Sequence, residues 1–201
     1  MRKDITISKL AKAMNRLGYS VFETDTKAYN LNIVGVRSSN PIVNEFNDLM
    51  CVFWKYEGNW NIYKMQMTSL PGVYWLANPS NPLGCAILKE GQYKGVYKID
   101  KHSGKYDALC QRLGDVTVYR DDNRDRNYDE ISGTEDTGMF GINIHKAHAD
   151  YELETVDKWS AGCQVIQDPD EYEIHMDVVK KSAEIWGNKF TYTLINENDL
   201  N

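Results

Sequence analysis

No stretch of this 201-residue chain approaches the run of about 20 apolar residues that a membrane-spanning helix requires, and no apolar h-region follows the basic residues near Met1. Neither a helical membrane protein nor a secretory leader is legible, so the chain is expected to be made and kept in the cytoplasm. Positive charge is in short supply too. The 23 Lys and Arg stand against 29 Asp and Glu, a net charge of −6, which excludes nucleic acid as the main partner because phosphate binding calls for clustered basic side chains. Cysteines number only four and are irregularly spaced, a pattern that fits a reduced compartment better than a disulfide framework. Repeats and low-complexity segments are absent, which removes solenoids. What remains, at 42% hydrophobic, can bury a full core as one catalytic domain with a short N-terminal extension, expected to be monomeric.

The apolar pattern is mostly that of short strands. Leu31 to Val36, Gly84 to Leu88, Gly95 to Ile99 and Val116 to Tyr119 are β-rich runs between Gly, Pro, Asn and Asp turns. Val73-Tyr74-Trp75-Leu76 is read in the same way. Cys51 to Met67 predicts a hairpin turning at Glu57-Gly58-Asn59. Ile5, Leu10, Met14 and Leu17 recur at helical spacing ahead of Gly18, which suits a helix end, and a second amphipathic helix is predicted over 170–186, followed by a last strand over 189–195. The fold class is therefore mainly β with minor α, a sandwich or barrel with one short N-terminal helix and one later helix. Residues 120–137, rich in Asp, Asn and Arg, read as a long loop, either a solvated connection or a lid. Their Asp/Asn alternation lacks the Gly and Glu offsets of a calcium loop.

The chemistry-bearing signal lies near the C-terminus. Gly141-Ile142-Asn143-Ile144-His145 is followed by Trp159-Ser160-Ala161-Gly162-Cys163. A thiol attacks a carbonyl only as its thiolate, and a histidine can take that proton and return it to a leaving group. In an extended 141–146 segment, Asn143 and His145 face one side and Ile142 and Ile144 the other, which turns the imidazole towards a cleft. Gly162 permits a tight turn whose backbone amides can point at a developing oxyanion. Ser160 has the turn or the imidazole as partners. The bland alternative is that Cys163 is a small buried hydrophobe, as Cys51, Cys85 and Cys110 are read to be. Of the other histidines, His148 is a candidate substrate contact, His102 is expected to bond its own hairpin turn, and His175 is read as structural or exposed.

The His145 and Ser-Ala-Gly-Cys163 segments resemble the signature of the L,D-transpeptidase (YkuD-like) catalytic domain, and Thr68-Ser69-Leu70-Pro71-Gly72-Val73-Tyr74 is similar to a Thr-Pro-x-Gly-x-Tyr segment of that family. The longer runs 138–145 and 159–166 look most like bacteriophage-encoded, endolysin-like members. The likeness spans about residues 50–195 and is specific only around the two short motifs. It implies a mixed β-sandwich over 49–201 with residues 1–48 as a packed N-terminal extension, Cys163 as nucleophile, His145 as base, and the Lys146 carbonyl orienting that base. Amides near Gly162 would stabilise the oxyanion, and Trp159, Ser160 and His148 would contact substrate. Neither metal nor cofactor is implied. The chain departs from the bacterial pattern at Ala161, Val165 and Lys146, positions that line the substrate cleft in that family.

The expectation that follows is a peptidoglycan hydrolase acting on stem-peptide or cross-bridge bonds, reaching the wall through a holin or as a virion component. Three alternatives stay open: a transpeptidase that forms or exchanges cross-links, a zinc enzyme using His145, His148 and Cys163, and a wall-binding or virion protein whose Trp54, Trp60 and Trp75 stack on glycan.

Overall fold

Glu57 and Gly58 both adopt positive φ, 49° and 78°, the pairing that a two-residue hairpin turn needs to match strand twist. That turn joins β2 (Asp48–Tyr56) to β3 (Asn59–Thr68), paired from Tyr56 opposite Asn59 to Asp48 opposite Met67. The chain is described here from a computed structural model covering residues 4–129 and 133–201. The hairpin belongs to a closed barrel with β1 (Asn32–Arg37), β5 (Gly91–His102), β6 (Tyr106–Gln111), β9 (Ile144–Lys146), β10 (Gln164–Ile166) and β11 (Phe190–Asn196). The order around the barrel is β1, β11, β5, β6, β9, β10, β3, β2. A separate three-stranded sheet is formed by β4 (Cys85–Leu88), β7 (Val116–Asp121) and β8 (Glu135–Gly138). The mainly β class with minor α is thus observed, as a barrel with an added small sheet.

Strand alternation divides the core. Ile33 joins the main cluster with Met50, Val52, Tyr97, Leu109, Ile144 and Tyr192, while its neighbours Val34 and Val36 pack with Leu10, Ala13 and Met14 of the N-terminal helix α1 (Ile7–Arg16). Thr6 caps α1 through its side chain, and Gly18 at φ 75° follows its end. Because β1 sits between β2 and β11, residues 32–37 are part of the barrel itself, so the first 48 residues supply a barrel strand as well as a packed helix. The helix α3 (Pro169–Trp186) starts with Asp168 as cap and Pro169 in its first turn, and sends Tyr172, Met176 and Val179 into the main core. Among the described residues no helix is long and apolar enough to cross a membrane.

Three local expectations are corrected. Val73–Ala77 is a short helix, α2, because Trp75 and Leu76 amides bond back to the Gly72 carbonyl and the Trp75 indole donates to Lys158 O at 2.9 Å. Tertiary anchors here outweigh the β-propensity of the run. The 120–137 loop is shorter than its composition predicts, since Asp121 ends β7 and 135–138 form β8; residues 130–132 lie outside the described ones, as do 1–3. What holds β8 is polar: Asp136 takes Arg120, Glu135 takes Lys89, and Thr137 meets Thr117. Of the tryptophans considered for glycan stacking, Trp54 is buried between Tyr29 and Tyr63 and so is not a free surface, Trp60 is partly buried against Phe53, and Trp75 is partly exposed and lines a cavity.

His175 on α3 is structural. It is buried and neither ring nitrogen has a partner; burial lowers its pKa from 6.5 to about 4. Its folded value lies below its unfolded one, so its contribution to stability is whole above pH 6.5 and is lost as the pH falls towards 4. His175→Leu is expected to raise the melting temperature at pH 5 by about 2–4 °C for each kcal/mol recovered, with a smaller gain at pH 8. Equal gains at both pH values in thermal melts would contradict this.

Candidate active site

Parallel strands β9 and β10 lie side by side, with Gln164 opposite Ile144 and Val165 opposite His145. Cys163 therefore enters β10 one residue below Gln164, beside the strand that carries His145, and the two sequence-predicted residues come from adjacent strands. Only 144–146 are strand; Gly141, at φ 73°, bends the chain ahead of them. The expected alternation still holds in its contacts. Ile142 and Ile144 go to the main core, while Asn143 and His145 both meet His102.

The turn before Cys163 is held by its own side chains. Ser160 is buried, donates to the Cys163 carbonyl at 2.9 Å and accepts the Gly162 amide at 3.2 Å. Its job is thus to shape the turn. Gly162 has φ 121°, and a Cβ there would overlap the Ala86 carbonyl. The Gly162 amide is engaged by Ser160, and the Gln164 amide by the Asn143 carbonyl at 2.9 Å.

Cys163 is half-buried and lines a cavity of about 330 Å³ together with Trp75, Asn81, Ala86, Arg120, Phe140 and Gly141. Its Sγ lies 3.5 Å from the Asn143 amide, which donates to it, and 3.6 Å from the Gly141 carbonyl. Burial pushes the thiol up to about 11, with the Asn143 N–H pulling the other way. Cys85 lines the same cavity with its thiol pushed to about 12 by burial. Arg120 stands in the wall over the Phe140 ring, its guanidinium paired with Asp136.

His145 is buried. Its Nδ1 donates to the Lys146 carbonyl at 2.8 Å, which places the proton on Nδ1 and leaves the Nε2 lone pair free. Burial first, and the neighbouring His102 second, lower its pKa to about 3, against a smaller upward pull from the Lys146 carbonyl. No hydrogen bond joins the Cys163 thiol to the His145 imidazole, and burial favours the uncharged form of each.

The remaining candidates sit elsewhere. Trp159 is exposed in a second cavity, about 520 Å³, with Tyr74, Asn78, Arg126 and Lys158. His148 lies against Tyr151 with the rings tilted by 33° and meets Trp159 edge-on. Neither lines the Cys163 cavity. His145, His148 and Cys163 do not converge, and no group of three potential metal ligands is found among the described residues.

Two residues were missed by sequence reasoning. Gln111, at the end of β6, is 1% exposed; its Oε1 accepts the amides of Phe140, Gly141 and Ile142, and its Nε2 donates to the Gly114 and Gly138 carbonyls. It thereby shapes the segment that touches the sulfur. His102, expected to bond its own turn, instead lies flat on His145 with ring centroids 4.1 Å apart. A single Gln or His within a strand run carries no local signal for such partners. Comparisons with protein-family models, with curated proteins and with solved structures found no match.

Proposed function

We propose that this protein is a cysteine acyl-transfer enzyme of the peptidoglycan-hydrolase type, cleaving a stem-peptide or cross-bridge bond. The observation that carries the chemistry is the histidine tautomer: Nδ1–H held by the Lys146 carbonyl, with Nε2 free, on the strand next to a cysteine that faces a cavity. The wall substrate, and a phage origin with release through a holin or in a virion, follow from the sequence resemblance alone.

His145 Nε2 takes the Cys163 proton as Sγ bonds to the peptide carbonyl carbon, and the carbonyl π electrons move to oxygen. The Cys163 amide, supplemented by the turn, is the donor for that oxyanion. Collapse breaks the C–N bond, and the proton on Nε2 goes to the leaving amine. Water then attacks the thioester with His145 again as base, giving a carboxylate and restoring the thiol; an amine in place of water would make a cross-link instead.

Incubation of purified peptidoglycan and defined muropeptides, read by mass spectrometry, tests this. Wild type is expected to release new stem-peptide fragments in the presence of chelator. Cys163→Ala and His145→Ala should each fall by about 10²-fold or more. Because the base is held neutral down to about pH 3, cleavage should show no acid limb near pH 6.5. Loss of cleavage on chelation would overturn the mechanism in favour of metal, and intact cleavage by Cys163→Ala would overturn the nucleophile.

A further inference from the structure

The hairpin joining β5 to β6 brings a second imidazole against the base, and its orientation is settled by an amide. Asn143 Oδ1 accepts the Gln111 backbone N–H at 3.0 Å, so the other end of that carboxamide, Nδ2, is the end that faces His102 Nδ1 at 3.1 Å. Nδ2 can only donate, hence His102 Nδ1 holds a lone pair and its proton sits on Nε2. The same Asn143 gives its backbone N–H to Cys163 Sγ. The His102 ring is stacked on His145 with planes 25° apart. One residue thus touches the base through its face and, through Asn143, the segment that touches the nucleophile.

Resting on the cysteine acyl-transfer reading above, we propose that His102 is a positioning residue of this site: latched by Asn143 and lying flat on His145, it holds that imidazole in the neutral, Nδ1-protonated form able to accept the Cys163 proton. Two imidazoles this close disfavour charge on both at once, and the Asn143 amide group blocks protonation of His102 at Nδ1.

The surroundings work in the same direction. Burial first, then the positive charges of Arg112 and Lys105, disfavour the His102 cation, Arg112 being paired with Asp100. On the His145 side, β6 supplies the neutral Tyr106 hydroxyl, 3.4 Å from both Nδ1 and the Lys146 carbonyl. The buried Cys110 lies on β6 as well. From β9 the Lys146 ammonium lies over the Tyr106 and Tyr172 rings and pairs with Glu173 of α3. The turn leading into β10 carries Cys163, whose thiol burial keeps protonated. No carboxylate bonds either histidine among the described residues, and only the Lys146 carbonyl on His145 Nδ1 works the other way.

Long-range proton–nitrogen NMR of the four histidine rings in the full chain, across pH, reads this without substrate. In wild type His145 is expected as the Nδ1–H tautomer, neutral through pH 5, and His102 as the Nε2–H tautomer. In His102→Phe, which keeps a ring but takes no bond from Asn143, the His145 midpoint should rise by roughly one pH unit, and the acid limb of muropeptide cleavage should move up with it. There kcat should fall about tenfold with KM little changed.

An unchanged His145 midpoint in a folded His102→Phe protein would overturn the proposal. So would a wild-type His102 protonated on Nδ1, a result that does not depend on any variant folding. The NMR shift without any cleavage by wild type would remove the wall substrate and leave the histidine pair standing. Cleavage with no shift would do the reverse.

Discussion

On the proposed mechanism, alanine at position 162 is expected to lower peptide cleavage by about 10²-fold or more and the melting temperature by roughly 6–12 °C, the shift that about 3 kcal/mol produces in a chain of this size. The backbone there has φ 121°, which an L side chain rarely adopts, and a Cβ would run into the Ala86 carbonyl. Ala86 cannot simply recede, because it is part of β4 and paired with Arg120 of β7. The strain would instead open the turn in which Ser160 holds both the Gly162 amide and the Cys163 carbonyl. A displacement of about 1 Å at a nucleophile is enough to cost about 10²-fold in rate. Gly187→Ala is the natural comparison: φ is 89° but nothing lies within 4 Å of the added carbon. With ψ 158° that variant carries backbone strain alone, about 1–3 kcal/mol, and should retain cleavage. Thermal melts and fragment assays on both proteins check the pair, and equal behaviour would contradict the account of the turn.

Gln111→Leu should have the second largest effect. Its side chain satisfies three amides and two carbonyls of the 114–142 region from a position that is 1% exposed. Leucine can take the volume but leaves those groups without their partner, at about 1 kcal/mol or more each where water does not reach. A loss of about 3–5 kcal/mol is expected. The Phe140, Gly141 and Ile142 amides should lose their protection from hydrogen exchange, while those of the β2–β3 hairpin keep it. Cleavage should fall too, because the loosened segment carries the Gly141 carbonyl and Asn143 amide that contact Cys163 Sγ. Gln111→Glu keeps an acceptor for the three amides and is expected to be milder than leucine. Undiminished exchange protection at 140–142 in the leucine variant would contradict this role.

The parts of this fold that could be read from sequence are those whose causes are local. The hairpin at Glu57-Gly58 follows from turn chemistry, and α3 follows from the apolar spacing of residues 170–186. His145 and the Cys163 turn were legible for the same reason, since a strand ending in His and a Ser-x-Gly-Cys corner are short-range patterns. What escaped depends on partners far along the chain. Val73–Ala77 is helical because of its ties to Lys158 and, through Gly72, to Ser160. β8 is a strand because Asp136 reaches Arg120, and its own sequence, Glu-Asp-Thr-Gly, has no apolar alternation. Gln111 and His102 gain their roles only when β6 and the β5–β6 hairpin are laid beside β9. Asn143, readable as a residue on the His145 face, is the piece that ties those two to the sulfur.

The most direct measurement is the mass of the intact protein quenched in acid after mixing with defined stem peptides, followed by peptide mapping. The account predicts an acyl adduct, of the mass of the donor peptide less its leaving amine, on the peptide that contains Cys163. It should build up when water attack is slowed and be missing from Cys163→Ala. Fragment release by wild type with Cys163 unmodified at every time point, or an adduct carried on another residue, would contradict it.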